Sequence, residues 1–279
     1  MRRVLHDGIA QYSKPFKHQA RAAVYLYISS GNHRWGNILE NLICVIGNKG
    51  GTGKTSITHM LCHGLGLLGM RSIAVLTDTS REPLFRNDRG YTPLDGRTPD
   101  KLEKILAKLK GMPEWIGVVD GGANRPEMDQ QLYEVSNLVL LPFRDSHEDI
   151  RTVRLDLENY PRAFGIPSQW PTNPWQQMAA EHTLDTLMQD YRSRLLDPVY
   201  TVSSSKLLLE SQIPPDLPTV LNNVSRALAK QVLARLQAEN ESESESEAET
   251  DTTEEPAEPE TEESAEADAG EPAQPDAKD

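Results

Sequence analysis

The chain has 279 residues and a formal net charge of −13, but the charge is unevenly spread: residues 238–279 hold 18 of the 42 acidic side chains and one of the 29 basic ones, so a body of +4 precedes a segment of −17. Only two cysteines occur, Cys44 and Cys62, which excludes a disulfide framework and fits a reducing, cytoplasmic compartment. No apolar run approaches the ~18 residues of a membrane-spanning helix, and the first residues lack a hydrophobic signal core, so no membrane association is expected. Residues 1–38 carry Arg2, Arg3, Lys14, Lys17, Arg21 and Arg34 against Asp7 as the sole acid. They read as a basic extension, as an extra edge strand at Ala22 to Ile28, or as lead-in to a domain that starts nearer Ile38.

Asn41 to Ile46 is a continuous apolar run of the kind that forms a strand buried on both faces. It leads into Gly47-Asn48-Lys49-Gly50-Gly51-Thr52-Gly53-Lys54-Thr55-Ser56, where Gly47, Gly53, Lys54 and Thr55 satisfy the pattern G-x-x-x-x-G-K-[ST]. In such a loop successive backbone N–H groups wrap a phosphate chain, the lysine ammonium reaches its outer phosphates, and the threonine hydroxyl is available to Mg²⁺. Ile57, Met60, Leu61, Gly64, Leu65 and Leu68 then recur at helical spacing, with Gly69 as the stop. His59 and His63, four residues apart, fall opposite that apolar stripe with no further metal-ligand spacing nearby. Strand, loop and helix occur in the order a phosphate site requires.

Lys49 extends the pattern to Lys-Gly-Gly-Thr-Gly-Lys-Thr-Ser, and here the chain resembles the deviant Walker A motif of the ParA/MinD family of P-loop ATPases. The resemblance spans about residues 39–237, closely at the loop and by pattern elsewhere. It implies that Asn48 to Ser56 bind ATP, that Lys54 and Thr55 serve the phosphates and Mg²⁺, and that Lys49 reaches the ATP of a second subunit in an ATP-dependent homodimer.

Ile73 to Thr77 reads as a second buried strand delivering Asp78 to the ligand edge of an open parallel sheet, where it can meet Mg²⁺ or its waters. The family shows Asp-x-Asp at this point; this chain has Asp78-Thr79-Ser80, so Ser80 replaces a water-positioning carboxylate and slow hydrolysis is expected. Arg81 to Arg97 reads as an irregular, switch-like loop. Thr98-Pro99 opens a helix with Leu102, Ile105, Leu106 and Leu109 on one face, closed by Gly111 and Pro113.

Trp115 to Asp120 is an apolar strand ending in an aspartate and followed by Gly121-Gly122, which resembles a Walker B segment and makes Asp120 a second Mg²⁺ residue. Pro126 starts a short helix, Leu138 to Phe143 is the next strand, and Ser146 to Asp149 has the spacing of a capping box. Trp170 to Trp175 lies where the family places a strand and an adenine-contacting asparagine, so Asn173 is either that contact or a plain turn residue. Leu184, Leu187, Met188, Tyr191 and Leu195 mark a long helix, Val199 to Val202 a last strand, and Leu217 to Leu228 a terminal helix whose other side carries Arg226 and Lys230.

From Ala238 the composition of Glu, Ser, Thr, Ala and Pro cannot bury enough surface to fold alone, and a disordered acidic tail is expected. The whole predicts an α/β domain at 39–237: a doubly wound, mostly parallel sheet with helices on both faces. The resemblance implies a ParA-like ATPase using ATP and Mg²⁺, with nonspecific DNA and a ParB-like stimulating partner, free of membrane and associated with the nucleoid. A conjugation accessory ATPase, or a regulator that binds ATP and turns over little of it, fits the same residues.

Overall fold

Parallel pairing dominates the molecule, because every strand is followed by a segment that must cross over before the next strand can pair. The computed structural model describes residues 39–79 and 82–251. The basic extension at 1–38, Ser80 with Arg81, and residues 252–279 lie outside the described residues. The strands are β1 (Leu39–Val45), β2 (Arg71–Leu76), β3 (Thr92–Asp95), β4 (Trp115–Asp120), β5 (Ser136–Phe143), β6 (Ala163–Trp170) and β7 (Val199–Tyr200). They form one seven-stranded sheet in the order β3-β2-β4-β1-β5-β6-β7, and every described pairing is parallel.

Among the described residues six α-helices accompany it: α1 (Lys54–Leu67), α2 (Pro99–Leu109), α3 (Pro126–Val135), α4 (His147–Asn159), α5 (Pro174–Leu187) and α6 (Thr219–Asp251). Strand side chains alternate between two cores. Leu42, Cys44 and Ile46 face a layer built with Leu109, Leu132, Val153, Leu157 and Leu184 from α2 to α5. Ile43 and Val45 face the other layer, where Ile57, Leu61 and Leu65 of α1 meet Leu221, Leu228 and Val232 of α6. This is the doubly wound arrangement expected from the sequence. Both cysteines are buried and free.

Helix α1 is enclosed between the sheet and α6, and the approach is close. A Cβ on Gly64 would lie 1.9 Å from the Ser225 carbonyl oxygen, so no larger residue fits where the two helices meet. Enclosure also buries His59 and His63, which lie opposite the apolar stripe of α1. His59 Nδ1 shares a 2.7 Å hydrogen bond with the Tyr91 hydroxyl, and His63 Nε2 one of 2.8 Å with Asn222 Oδ1.

Four elements differ from the sequence reading. The segment at 81–97 is not wholly irregular: Thr92–Asp95 pairs with β2 as an outer strand, a position in which Pro93 is tolerated. Strand β6 ends at Trp170 rather than starting there, and Gly165 and Pro167 within it weaken any pattern signal. Gly165 is there because a Cβ would lie 2.7 Å from Leu195. The helix expected at 184–195 begins earlier, at Pro174, and gives way after Leu187 to a 3₁₀ turn at Gln189–Arg194.

Finally, α6 continues to Asp251, beyond the boundary expected at Ala238. Glu and Ala are good helix formers, and extending a helix already nucleated costs far less than starting one. The chain divides into two units, Met1–Glu239, which holds the sheet, and Asn240–Asp279, of which Asn240–Asp251 are helical.

Candidate functional site

The C-terminal ends of β1, β2 and β4 converge on one point. Val45, Leu76 and Asp120 are register partners across the three strands, so the loop after β1, Asp78 just beyond β2 and the Asp120 side chain leave the sheet side by side. Thr77 Oγ1 donates to the Asp120 carbonyl at 2.6 Å, and the Gly121 N–H to the Val45 carbonyl at 3.0 Å, which ties the strand ends together.

The loop from Gly47 to Gly53 has the backbone that a phosphate cradle needs. Gly51 and Gly53 have φ of 79° and 95°, and Gly53 is the left-handed N-cap from which α1 begins. The first N–H groups of α1 therefore point out of the loop without intrahelical partners, a natural seat for an anion. Three neighbours hold the loop in shape. Asp129 Oδ2 on α3 accepts the Gly47 N–H at 3.3 Å, Asp156 Oδ1 on α4 accepts Asn48 Nδ2 at 2.9 Å, and the Ser168 hydroxyl on β6 donates to the Thr52 carbonyl.

The two lysines behave differently. Lys54, the first residue of α1, is buried and donates to the Lys49 carbonyl at 2.7 Å. Burial pulls its pKa down, and the nearby Asp129, Asp120, Asp156 and Asp78 work against that fall. Lys49 is folded back onto the start of α4, 2.5 Å from Asp149 Oδ1 and 3.2 Å from Glu148 Oε1. Its hydrogen bond to Asp149 raises its pKa. Asp149 is itself fixed within the expected capping box, its N–H donating to Ser146 Oγ at 3.1 Å. Partial burial opposes its ionisation, but Lys49 and Ser146 outweigh it and hold the carboxyl below its ordinary value.

Asp120 is 1 % exposed, yet neither carboxylate oxygen has a hydrogen bond of normal geometry. Burial pushes its pKa up, and the proximity of Thr55, the Gly122 N–H and Lys54 only partly offsets this. An ionised carboxylate left so in a protein interior is costly. A hard divalent cation would supply the missing partner, so the donor set of Thr55, Asp78 and Asp120 fits Mg²⁺. These three residues line a cavity of about 380 Å³ that extends past His59 to Asp95 and Arg97.

Thus Asn48 to Ser56, with Lys49, Lys54 and Thr55 among them, lie together with Asp78 and Asp120 at one end of the sheet. Asn173 is not part of that cluster: it is the N-cap of α5, its Oδ1 accepting from the N–H groups of Trp175 at 2.9 Å and Gln176 at 3.4 Å. The sequence reading missed Asp129, Asp156 and Ser168, which lie on three separate elements. No motif links them to the loop, so pattern alone carries no signal for them.

No protein-family model and no curated protein matches the chain. Solved structures do. The septum site-determining protein MinD of Pyrococcus horikoshii OT3, complexed with Mg-ADP, matches at 18% identity over 71% of this chain and 98% of its own, with a TM-score of 0.51. The ParA of pNOB8, bound to nonspecific DNA, matches at 14% over 72% and 99%, also at 0.51. Cobyrinic acid a,c-diamide synthase of Mycobacterium smegmatis, with bound ATP analogue and magnesium, matches at 16% over 70% and 94%, again at 0.51. A seven-stranded parallel sheet, a glycine loop after its central strand and these likenesses together give the chain the P-loop fold of the ParA and MinD ATPases.

Proposed function

We propose that the chain is a ParA-like ATPase: it binds Mg·ATP in the loop after β1, two copies close on the nucleotide, the closed dimer binds nonspecific DNA, and hydrolysis releases it. In that way it would position a plasmid, a chromosome region or another cargo, in the cytoplasm and on the nucleoid, with a ParB-like partner stimulating turnover. The observation that carries the reading is the buried carboxylate of Asp120, without a hydrogen bond of normal geometry, beside Thr55 and Asp78 at the mouth of a lysine-bearing glycine loop.

In this reading the backbone N–H groups of Gly50 to Thr55 wrap the phosphates and Lys54 balances their charge. Thr55, Asp78 and Asp120 would hold Mg²⁺, which when bound neutralises charge on the transferring phosphoryl group. Lys49 would leave Asp149 and Glu148 to reach the nucleotide of the second copy. Asn173 would meet the base through its Nδ2, since its oxygen caps α5. Arg226 and Lys230 on α6 offer a basic edge to DNA phosphates. Among the described residues no helix is long and apolar enough to cross a membrane.

Nucleotide titration and light scattering test this together. Lys54→Ala should abolish Mg·ATP binding, whereas Lys49→Ala should bind nucleotide but stay monomeric. A Lys49→Ala variant that dimerises normally with ATP would remove the proposed role of that lysine. Ser80, standing where the family has a carboxylate, favours a second reading: a regulator that binds ATP with little turnover. Steady-state hydrolysis separates the two, and Ser80→Asp should raise the rate if the ATPase reading is right.

A further inference from the structure

Strand β1 lies between β4 and β5, so the phosphate loop leaving its end is flanked by the loops that leave theirs. Each flanking loop brings one arginine to it. On the β4 side Gly122 has a φ of 76°, and the Arg125 guanidinium lies against it, with Cζ and Nη2 each 3.3 Å from where a Cβ would stand. Arg125 Nη1 donates to the Thr77 carbonyl at 2.9 Å, next to Asp78. Its Nε and Nη2 donors meet no acceptor among the described residues. The loop that carries it is itself tied to the phosphate loop, through the Asn124 N–H and the Asn48 carbonyl at 3.3 Å.

On the β5 side Arg144 Nη2 lies 3.8 Å from the Cβ position of Gly51, at the tip of the phosphate loop. Asp149 Oδ2 accepts the backbone N–H of Arg144 at 3.3 Å, which holds the residue in place. Its guanidinium makes no hydrogen bond or ion pair among the described residues. Lys49, the loop's own outer cation, is meanwhile drawn onto Asp149 and Glu148, and Lys54 sits on the floor of the loop. Among the described residues, the two arginines are therefore cations left at the rim.

We infer that Arg125 and Arg144 recognise the terminal phosphate of a nucleoside triphosphate from either side of the loop, within one copy of the chain. The inference rests on the reading of the loop as a nucleotide site and adds which residues tell a triphosphate from a diphosphate. A guanidinium suits the task because its planar fork matches phosphate oxygens two at a time and stays charged at any working pH. Rim cations have nothing to grip on a diphosphate, whose last phosphate is covered by Lys54 and the loop itself.

Calorimetric titration with Mg²⁺ and either AMPPNP or ADP, at a protein concentration where light scattering shows a monomer, tests this. Arg144→Ala and Arg125→Ala should each weaken AMPPNP binding about tenfold to a hundredfold, the scale of a lost charge-assisted phosphate contact, and leave ADP binding within about twofold. Arg144→Lys should recover part of the loss, since it restores charge without the fork. Variants that bind AMPPNP as the parent does, or that lose AMPPNP and ADP equally, would overturn the inference while leaving the nucleotide site standing. A parent chain that binds neither nucleotide would overturn the site and the inference together.

Discussion

Replacing Asp120 by Asn keeps its volume and removes its charge, which makes it a direct probe of what the candidate site costs the fold. Asp120 is 1 % exposed and neither oxygen has a hydrogen bond of normal geometry, so the parent carries a carboxylate whose lost water is only partly replaced by Thr55, the Gly122 N–H and Lys54. The amide oxygen can accept from the same Thr55 hydroxyl and Gly122 N–H without a charge to bury. Relief of a buried unsatisfied group is worth about 1–3 kcal/mol. For a domain of this size that corresponds to a rise in Tm of roughly 2–4 °C per kcal/mol. Thermal unfolding at pH 7.5 in a chelating buffer should therefore show Asp120→Asn melting roughly 2–12 °C above the parent. On the proposed function, saturating Mg·ATP should offset or reverse the difference, because a ligand at about 100 times its Kd adds about 2.7 kcal/mol to a protein that binds it and the variant would lack one of the proposed Mg²⁺ ligands. A variant that melts at or below the parent without ligand would refute the argument that Asp120 is strained in wait for a cation.

Further tests address other parts of the molecule. Asp129, pushed up to about 6 by burial, keeps its proton in the folded state at pH values where the unfolded chain, with an ordinary value of 3.8, has released it; stability should fall as pH rises through that window, and Asp129→Asn should flatten the fall in urea titrations between pH 4 and 6. Gly64→Ala gains about 1 kcal/mol of helix propensity but drives a methyl into the Ser225 carbonyl, so a net loss of about 2 kcal/mol or more is expected in the urea midpoint, and an unchanged midpoint would contradict the α1–α6 packing. Truncation after Asp251 removes a net charge of −10 from a chain whose first 237 residues carry +4; nonspecific DNA binding should strengthen at low salt and the gain should shrink as salt rises, whereas equal affinities at low salt would mean the tail does not guard the DNA surface.

The sequence made the centre of the fold legible and its margins less so, for physical reasons. β1, β2, β4 and β5 are buried on both faces and therefore read as unbroken apolar runs, and the glycine loop is pinned by backbone geometry that only certain residues adopt. The margins obey tertiary context. β3 is four residues with a proline, β6 contains Gly165 and Pro167, and neither would hold as a strand without its neighbour. The burial of the α1 histidines was not legible because a one-sided apolar stripe says nothing about a second layer, and here α6 supplies one. Within the site, Lys54, Thr55, Asp78 and Asp120 were visible because strand ends and motif spacing bring them together. Asp129, Asp156 and Ser168 were not, because what unites them is proximity to one loop rather than any spacing along the chain.

The borders of the sheet bear on how copies of the chain can assemble. Among the described residues its outermost members are β3, four residues long with Pro93 inside it, and β7, two residues long. Much of the flank of β6 beside β7 is also occupied, since the Leu196 N–H reaches the Gly165 carbonyl at 2.9 Å and the Arg194 side chain the Ala163 carbonyl at 3.1 Å. A ladder so short or so blocked offers little template for another strand, the usual route by which open sheets stack end to end into fibres. Among the described residues, any association between copies would therefore fall to loops and helix surfaces, where a contact can be made and undone without unzipping backbone hydrogen bonds.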